Sequence, residues 1–154
     1  MRIRDKIKDF ELLVIGKGHE AKTVESFAKQ HPWVHYVGPK FGTEKTVYFK
    51  IASLLLLPAA VGLAVLDAFA METPLITTDI SNSHGPEIDY LDNDVNGLIT
   101  QHSISDYSNA IINILSSDHK LETLVNGCKE SSLKYNLEQM VENFKTGIIS
   151  CLKM

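Results

Sequence analysis

Two hydrophobic periods alternate along this chain. Leu54–Leu57 is a run of four apolar residues closed by Pro58, the pattern of a strand buried on both faces of a parallel sheet. Comparable runs occur at 11–15, 33–37, 74–77 and 97–100, each bounded by Gly, Pro or polar residues. Between these runs the apolar positions change to helical spacing. Glu20–Gln30 carries Ala21, Val24, Phe27 and Ala28 on one face, and Thr43–Ile51 turns Val47, Tyr48 and Ile51 inward. Leu63–Met71 is a third helical stretch, and Pro86 opens a further one. Three segments near Ile104–Ser116, His119–Ser131 and Leu137–Leu152 close the chain, with Tyr107, Tyr135, Met140 and Phe144 at helical spacing as packing residues. Residues 1–9 mix charged and apolar positions and read as the end of a helix or a frayed segment.

Strands alternating with helices predict an α/β fold, a three-layer domain whose parallel sheet of about five strands is joined by right-handed crossovers. The loops after the first four strands then share one edge of the sheet. In open α/β sheets that carboxyl edge is where ligands bind. No repeat, low-complexity tract or linker interrupts residues 1–154, so one domain is expected.

Composition narrows the class. A chain of 154 residues with 44% hydrophobic content can bury one core. A net charge of −4 gives no electrostatic footprint for nucleic acid. Cys128 and Cys151 stand alone, which argues for a reducing compartment rather than a disulfide scaffold. The first residues lack the apolar core of a secretory signal. Residues 51–70 are the one stretch apolar enough to suggest a membrane span, but Pro58, Gly62 and Asp67 within it fit strand–turn–helix better. His31 and His35 are not on one predicted helix, since His35 falls in the 33–37 strand, and no cysteine lies nearby, so no metal site is expected.

Gly62-Leu63, Ala68, Ala70, Pro74-Leu75-Ile76, Pro86-Glu87 and Asn96-Gly97 follow one another in a specific order and spacing. In this the chain resembles the donor-binding half of a retaining glycosyltransferase of family 4. That family's pattern runs Pro-x-x-x-Glu-x-Phe-Gly-Leu, a helix with a second Glu, Ala-x-Ala-x-Gly-x-Pro-Val-Ile, then Pro-Glu and Asn-Gly. The likeness extends more weakly from about Leu12 to the C-terminus. It implies half of a GT-B fold: one Rossmann-like donor-binding domain over 1–154, without the N-terminal acceptor domain. Nothing before Leu12 looks like the family's opening strand with its Arg/Lys pair. The chain therefore reads as a piece of a larger enzyme or a truncated reading frame.

The resemblance implies binding of a nucleotide-diphosphate sugar, for glycosyl transfer to a polysaccharide, glycolipid or similar acceptor. It implies no cofactor and no metal, and as partner the N-terminal Rossmann-like domain of the same enzyme. A cytoplasmic location is implied, with peripheral association of the full enzyme at the inner face of the membrane compatible with it. The chain alone is expected to be inactive. Two alternatives stay open: a UDP-sugar epimerase-type GT-B domain, for which acid/base carboxylates cannot be placed, and a non-catalytic nucleotide-sugar-binding module.

Individual residues carry these roles unequally. Gly62, Leu63 and Ala64 offer backbone amides and a helix dipole to the diphosphate, or Gly62 is needed only by turn geometry. Asp67 stands at the family's second Glu, where a carboxylate accepts from the ribose cis-diol; the alternative is a solvent-facing acid. The family's first Glu is replaced by Ala59. His84 could donate to a donor-sugar hydroxyl or phosphate, or cap the helix at Pro86. Glu87, in that helix's first turn, reads as mainly structural. Gly38 and Lys40 end the second strand, where the family's loop passes the nucleobase; Lys40 and Lys45 are otherwise solvated lysines. Gly16, in Gly16-Lys17-Gly18, lies on the same edge, in a turn too short for a phosphate loop.

Overall fold

Leu75, Ile76, Thr77 and Thr78 are all buried, and the strand they form, β4, is the centre of a three-stranded parallel sheet. The computed structural model describes residues 2–80 and 84–153. It divides into two compact units, Met1–Ile51 and Ala52–Met154.

The first unit contains α1 (Arg2–Lys6), β1 (Leu12–Ile15), α2 (Ala21–Gln30), β2 (Val34–Gly38) and α3 (Gly42–Ile51). β1 and β2 pair in parallel from Leu12 opposite Val34, with a register shift that sets Ile15 opposite Gly38. Ala21, Val24 and Ala28 line the half-buried side of α2. Phe27 stays more open, yet its ring lies 4.1 Å from His31 and 6.4 Å, edge-on, from Trp33. On α3 the expected inward face is corrected: Phe49 is the buried residue, while Val47 and Ile51 are exposed. The helix has nearly equal apolar character all round, so its pattern did not select a face.

The second unit contains β3 (Leu55–Leu56), α4 (Ala64–Ala70), β4 (Leu75–Thr78), a 3-10 helix (Pro86–Tyr90), β5 (Gly97–Thr100), α5 (Ile104–Leu115), α6 (Asp118–Lys134) and α7 (Leu137–Leu152). Its sheet order is β3-β4-β5, every pairing parallel. The expectation of one sheet of about five strands is thereby corrected to two parallel sheets, of two and three strands. β3 is too short to do more. Pro58 ends it, and its ladder runs to β4, through Leu55 N–H to Pro74 O (2.9 Å) and Leu57 N–H to Ile76 O (3.0 Å).

The core of this unit joins Val61 before α4, Val65 and Phe69 of α4, Leu75, Leu91 and Cys128. Tyr135 closes it, its ring 6.3 Å from Phe69 and 4.7 Å from Tyr90. α6 approaches so closely at Gly127 that a Cβ would run into the Val95 carbonyl, which excludes any larger residue. The closing helices begin where capping residues stand. Ser103 Oγ accepts from Asp106 N–H (3.0 Å), Ser117 Oγ from Lys120 N–H (3.4 Å) and Asn136 Oδ1 from Gln139 N–H (2.8 Å). After α4, Glu72 takes a left-handed φ of 56°, at the position where the family pattern has glycine. Met140 and Phe144, expected to pack, are exposed on α7, as are Val141, Ile148 and Leu152. Helical periodicity marks an apolar face without saying that anything in the same chain covers it.

Candidate functional site

Because β3, β4 and β5 run parallel, the loops that follow them leave the sheet at one edge. The last residues of β4 tie these loops together. Thr77 Oγ1 donates to Ala59 O at 3.1 Å, and Thr78 Oγ1 donates to Pro58 O at 2.7 Å. The Thr78 hydroxyl has one proton, so at 3.3 Å it accepts from His102 Nδ1–H. Behind it, Asp79 Oδ1 accepts from His102 N–H at 2.8 Å, and Asp79 N–H donates to Thr100 O at 2.8 Å.

His84 adds a second set of ties. Its Nδ1 accepts from Val61 N–H at 3.2 Å, and its Nε2–H donates to Thr78 O at 2.7 Å. A backbone N–H can only give and a carbonyl can only take, so the imidazole is neutral and carries its proton on Nε2. Both nitrogens are engaged, which leaves neither for a sugar hydroxyl or phosphate. Nor does the ring cap the helix at Pro86, whose N-cap is Gly85 without a side-chain bond. Gly85 N–H in turn donates to Val61 O at 3.1 Å.

Immediately after the clamped Val61, the N–H groups of Gly62, Leu63 and Ala64 have no hydrogen-bond partner among the described residues. Leu63 is 66% exposed and Gly62 half-buried. Gly62 does not have a positive φ, and its Cβ position has nothing within 4 Å. Turn geometry therefore does not require this glycine, and no backbone strain is stored there. Helix α4 has seven residues, so the amides themselves, more than a long dipole, define this edge. Asp67 lies half-buried in the first turn of α4. The Glu87 carboxylate folds back over Gly85, where a Cβ would meet it. Ser81, Asn82 and Ser83, which precede His84, lie outside the described residues.

The remaining sequence-derived residues belong to the first unit. Gly16 (φ 142°) and Gly38 (φ 69°) meet at the end of the β1–β2 pair, where Gly16 N–H donates to Gly38 O at 3.0 Å. Tyr36 O–H donates to Gly16 O at 3.0 Å. An open cavity of about 240 Å³ lies there, lined among others by Ile15, Gly16, Lys17, Gly18 and Tyr36. Lys40 is not a free cation: its Nζ lies 3.4 Å from Glu44 Oε1 and 5.8 Å from the Tyr48 ring centre. Lys45 lies 5.9 Å from the Phe49 ring.

Sequence reasoning missed Thr77, Thr78 and His102. The available signal was a pair of hydroxyls at the end of a strand with no exposed face, since buried hydroxyls need partners.

Residues 1–117 match the family model of the glycosyl transferases, group 1. The chain belongs to that family. No curated protein matches it in sequence. Among solved structures, this glycosyltransferase group 1 domain is similar to TarM of S. aureus, crystallised with UDP, alpha-GlcNAc-glycerol and Fondaparinux. Identity is 18% and TM-score 0.77, over 94% of this chain and 30% of that one. It is similar to the pneumococcal O-GlcNAc transferase GtfA, crystallised with UDP and GlcNAc, at 14% identity and TM-score 0.78, over 98% of this chain and 31% of that one. It is also similar to Anabaena HepE, crystallised with UDP, at 14% identity and TM-score 0.72, over 96% and 44%. The fold is therefore that of a Rossmann-like domain of GT-B glycosyltransferases, and the chain spans less than half the length of each of these structures. Among the described residues no helix is long and apolar enough to cross a membrane.

Proposed function

We propose that this glycosyltransferase group 1 domain is the nucleotide-sugar donor-binding part of a retaining family 4 enzyme, over residues 1–154. The observation that carries this reading is the row of three amides, Gly62 to Ala64, without partners among the described residues, at the carboxyl edge of a parallel sheet in a chain of this family. In the proposed reaction the nucleoside diphosphate leaves the sugar, and negative charge grows on its phosphate oxygens. Fixed N–H donors aimed at that charge lower the barrier. Open space at the Gly62 Cβ position lets a phosphate approach the backbone. Asp67 accepts from the ribose hydroxyls. This assignment draws on no metal or cofactor.

The acceptor, a polysaccharide or glycolipid in this reading, is held by an N-terminal Rossmann-like domain of the same enzyme. The full enzyme works in the cytoplasm, with peripheral contact at the membrane's inner face. Much of the rate comes from bringing donor and acceptor together, so the 154-residue chain alone transfers no sugar. Ala59, where the family has its sugar-contacting Glu, favours a second reading as a non-catalytic nucleotide-sugar-binding module.

The test is calorimetric titration of UDP into wild type and Asp67→Asn. The variant should bind about 5- to 30-fold more weakly, the loss of a charge-assisted hydrogen bond. Equal affinity would remove Asp67 from the site. Turnover of a nucleotide sugar by this chain alone would overturn the two-domain reading. Absence of turnover when the N-terminal domain is supplied would favour the binding module.

A further inference from the structure

Val61 is held at both ends of its peptide unit by the segment that follows β4. Its N–H goes to His84 Nδ1 (3.2 Å), and its carbonyl receives Gly85 N–H (3.1 Å). Its side chain is 1% exposed, in the core of the second unit. The same imidazole is fixed from its other side to Thr78 O. One histidine ring thus bridges the β3–α4 loop and the end of β4, one residue before the amides of Gly62, Leu63 and Ala64. Two further bonds hold the loop, from Thr77 to Ala59 O and from Thr78 to Pro58 O, and both are hydroxyl–carbonyl bonds that do not titrate near neutral pH. The His84 bond is the one made by an ionisable side chain.

We infer that His84 is a positioning residue for the donor edge and a proton-sensitive latch on it. The neutral ring holds the Val61–Gly62 turn in place, and its protonation releases that turn. This rests on the donor-binding reading for its consequence, though not for its mechanics. When the ring takes a second proton, Nδ1 becomes a donor facing another donor, Val61 N–H. The bond is lost, Val61 N–H is left without an acceptor beside the core, and the turn moves off the ring. The bond from Nε2–H to Thr78 O survives the change, so the ring stays on β4 while the loop departs. The other titratable groups on the elements that meet here are Asp67 of α4, Asp79 after β4, Glu87 of the 3-10 helix and His102 after β5.

The chain itself, with ¹⁵N-labelled histidine and backbone, provides the test. In a titration from about pH 7.5 to about pH 5.5 and below, the His84 ring nitrogens should report the neutral Nε2–H tautomer where the Val61 bond holds and the doubly protonated ring where it is lost. Across that change, hydrogen exchange at Val61 should accelerate at least about tenfold beyond the intrinsic pH effect, because its one hydrogen bond has been removed. UDP affinity gives the second arm. UDP's terminal phosphate takes up a proton in the same window, so the reading is wild type against variants. His84→Asn offers Val61 a carbonyl acceptor that cannot titrate. It should bind UDP at neutral pH within about threefold of wild type and lose no more at low pH than the ligand's own titration demands. His84→Ala should bind about tenfold more weakly at neutral pH.

The Nδ1–H tautomer, or exchange at Val61 that does not follow the ring's titration, overturns the latch whatever UDP does. Both are read on wild type, so a variant that fails to fold does not weaken them. Undiminished UDP affinity in a folded His84→Ala overturns the positioning role. If tautomer and exchange behave as stated and wild type takes up no UDP, the latch stands and the donor reading falls.

Discussion

Asn96 Nδ2 donates to the Ser131 hydroxyl at 2.9 Å, joining the turn before β5 to α6 across 35 positions of sequence. The same amide donates to Tyr90 O (3.0 Å) and accepts from Asp92 N–H (2.7 Å), while the Asn96 carbonyl receives the Cys128 thiol (3.1 Å). Asn96 is 3% exposed, and Gly97 beside it has the Leu75 carbonyl and the Leu91 side chain where a Cβ would be. The Asn-Gly pair of the family pattern is here a packing and hydrogen-bonding device. Asn96→Ala strands a buried hydroxyl and a backbone N–H, and should cost about 2–4 kcal/mol of stability. Urea unfolding would measure it, and a loss below about 0.5 kcal/mol would contradict the network.

Two phenylalanines should behave as opposites. Phe69 is fully buried in the core, whereas Phe144 is 68% exposed on α7. Phe69→Ala should cost about 3–5 kcal/mol and Phe144→Ala less than about 0.5 kcal/mol. Comparable costs in denaturant melts would show that α7 is covered in solution.

Glu72 occupies a left-handed conformation, φ 56°, that an L side chain adopts with some strain. Glu72→Gly should raise stability by up to about 1 kcal/mol, because glycine enters this region without a Cβ penalty. A drop in melting temperature would mean that the Glu72 side chain contributes more than its backbone costs.

Alkaline pH should weaken the fold. Burial, with a smaller push from Glu72, raises the Cys128 thiol from 9.0 to about 12, and burial raises the Tyr107 phenol as well. Both groups are neutral when folded and ionise more easily when unfolded, so their contribution is complete below pH 9 and is lost as pH climbs from there toward 12. Melting temperature should fall above that point, and less steeply in Cys128→Ala. Under native conditions a thiol reagent should modify exposed Cys151 and reach buried Cys128 only after unfolding. Rapid labelling of both in the native chain would refute this burial.

Much of the fold is legible because apolar runs end where Pro, Gly or polar residues stop them. β5 at Gly97–Thr100 and α7 at Leu137–Leu152 follow the sequence pattern at both ends. Which strands pair is a different matter. Leu54–Leu57 reads as a full buried strand, yet the strand that forms is only Leu55–Leu56. Local periodicity contains no term for pairing between distant strands. His84 shows the same limit at the site. A loop histidine suggests a ligand contact or a cap, and its real partners, Val61 and Thr78, lie 23 and 6 positions away. The amides at Gly62–Ala64, without partners among the described residues, were more accessible to reasoning, since a glycine opening a helix is a local signal.

Every described strand pairing is parallel, and this sets a hazard during synthesis. The β1–β2 ladder can close once Gly38 has left the ribosome, but β4 acquires its second neighbour only when Gly97–Thr100 has emerged. Until then Leu75–Thr78, all four residues destined for the interior, presents a bare edge to any other extended segment nearby. Non-local parallel pairing is also slow to form. The last strand of the sheet is therefore a late cover on an adhesive one. Conditions that slow its arrival should send newly made chains into aggregates rather than into a loosened form of the native protein.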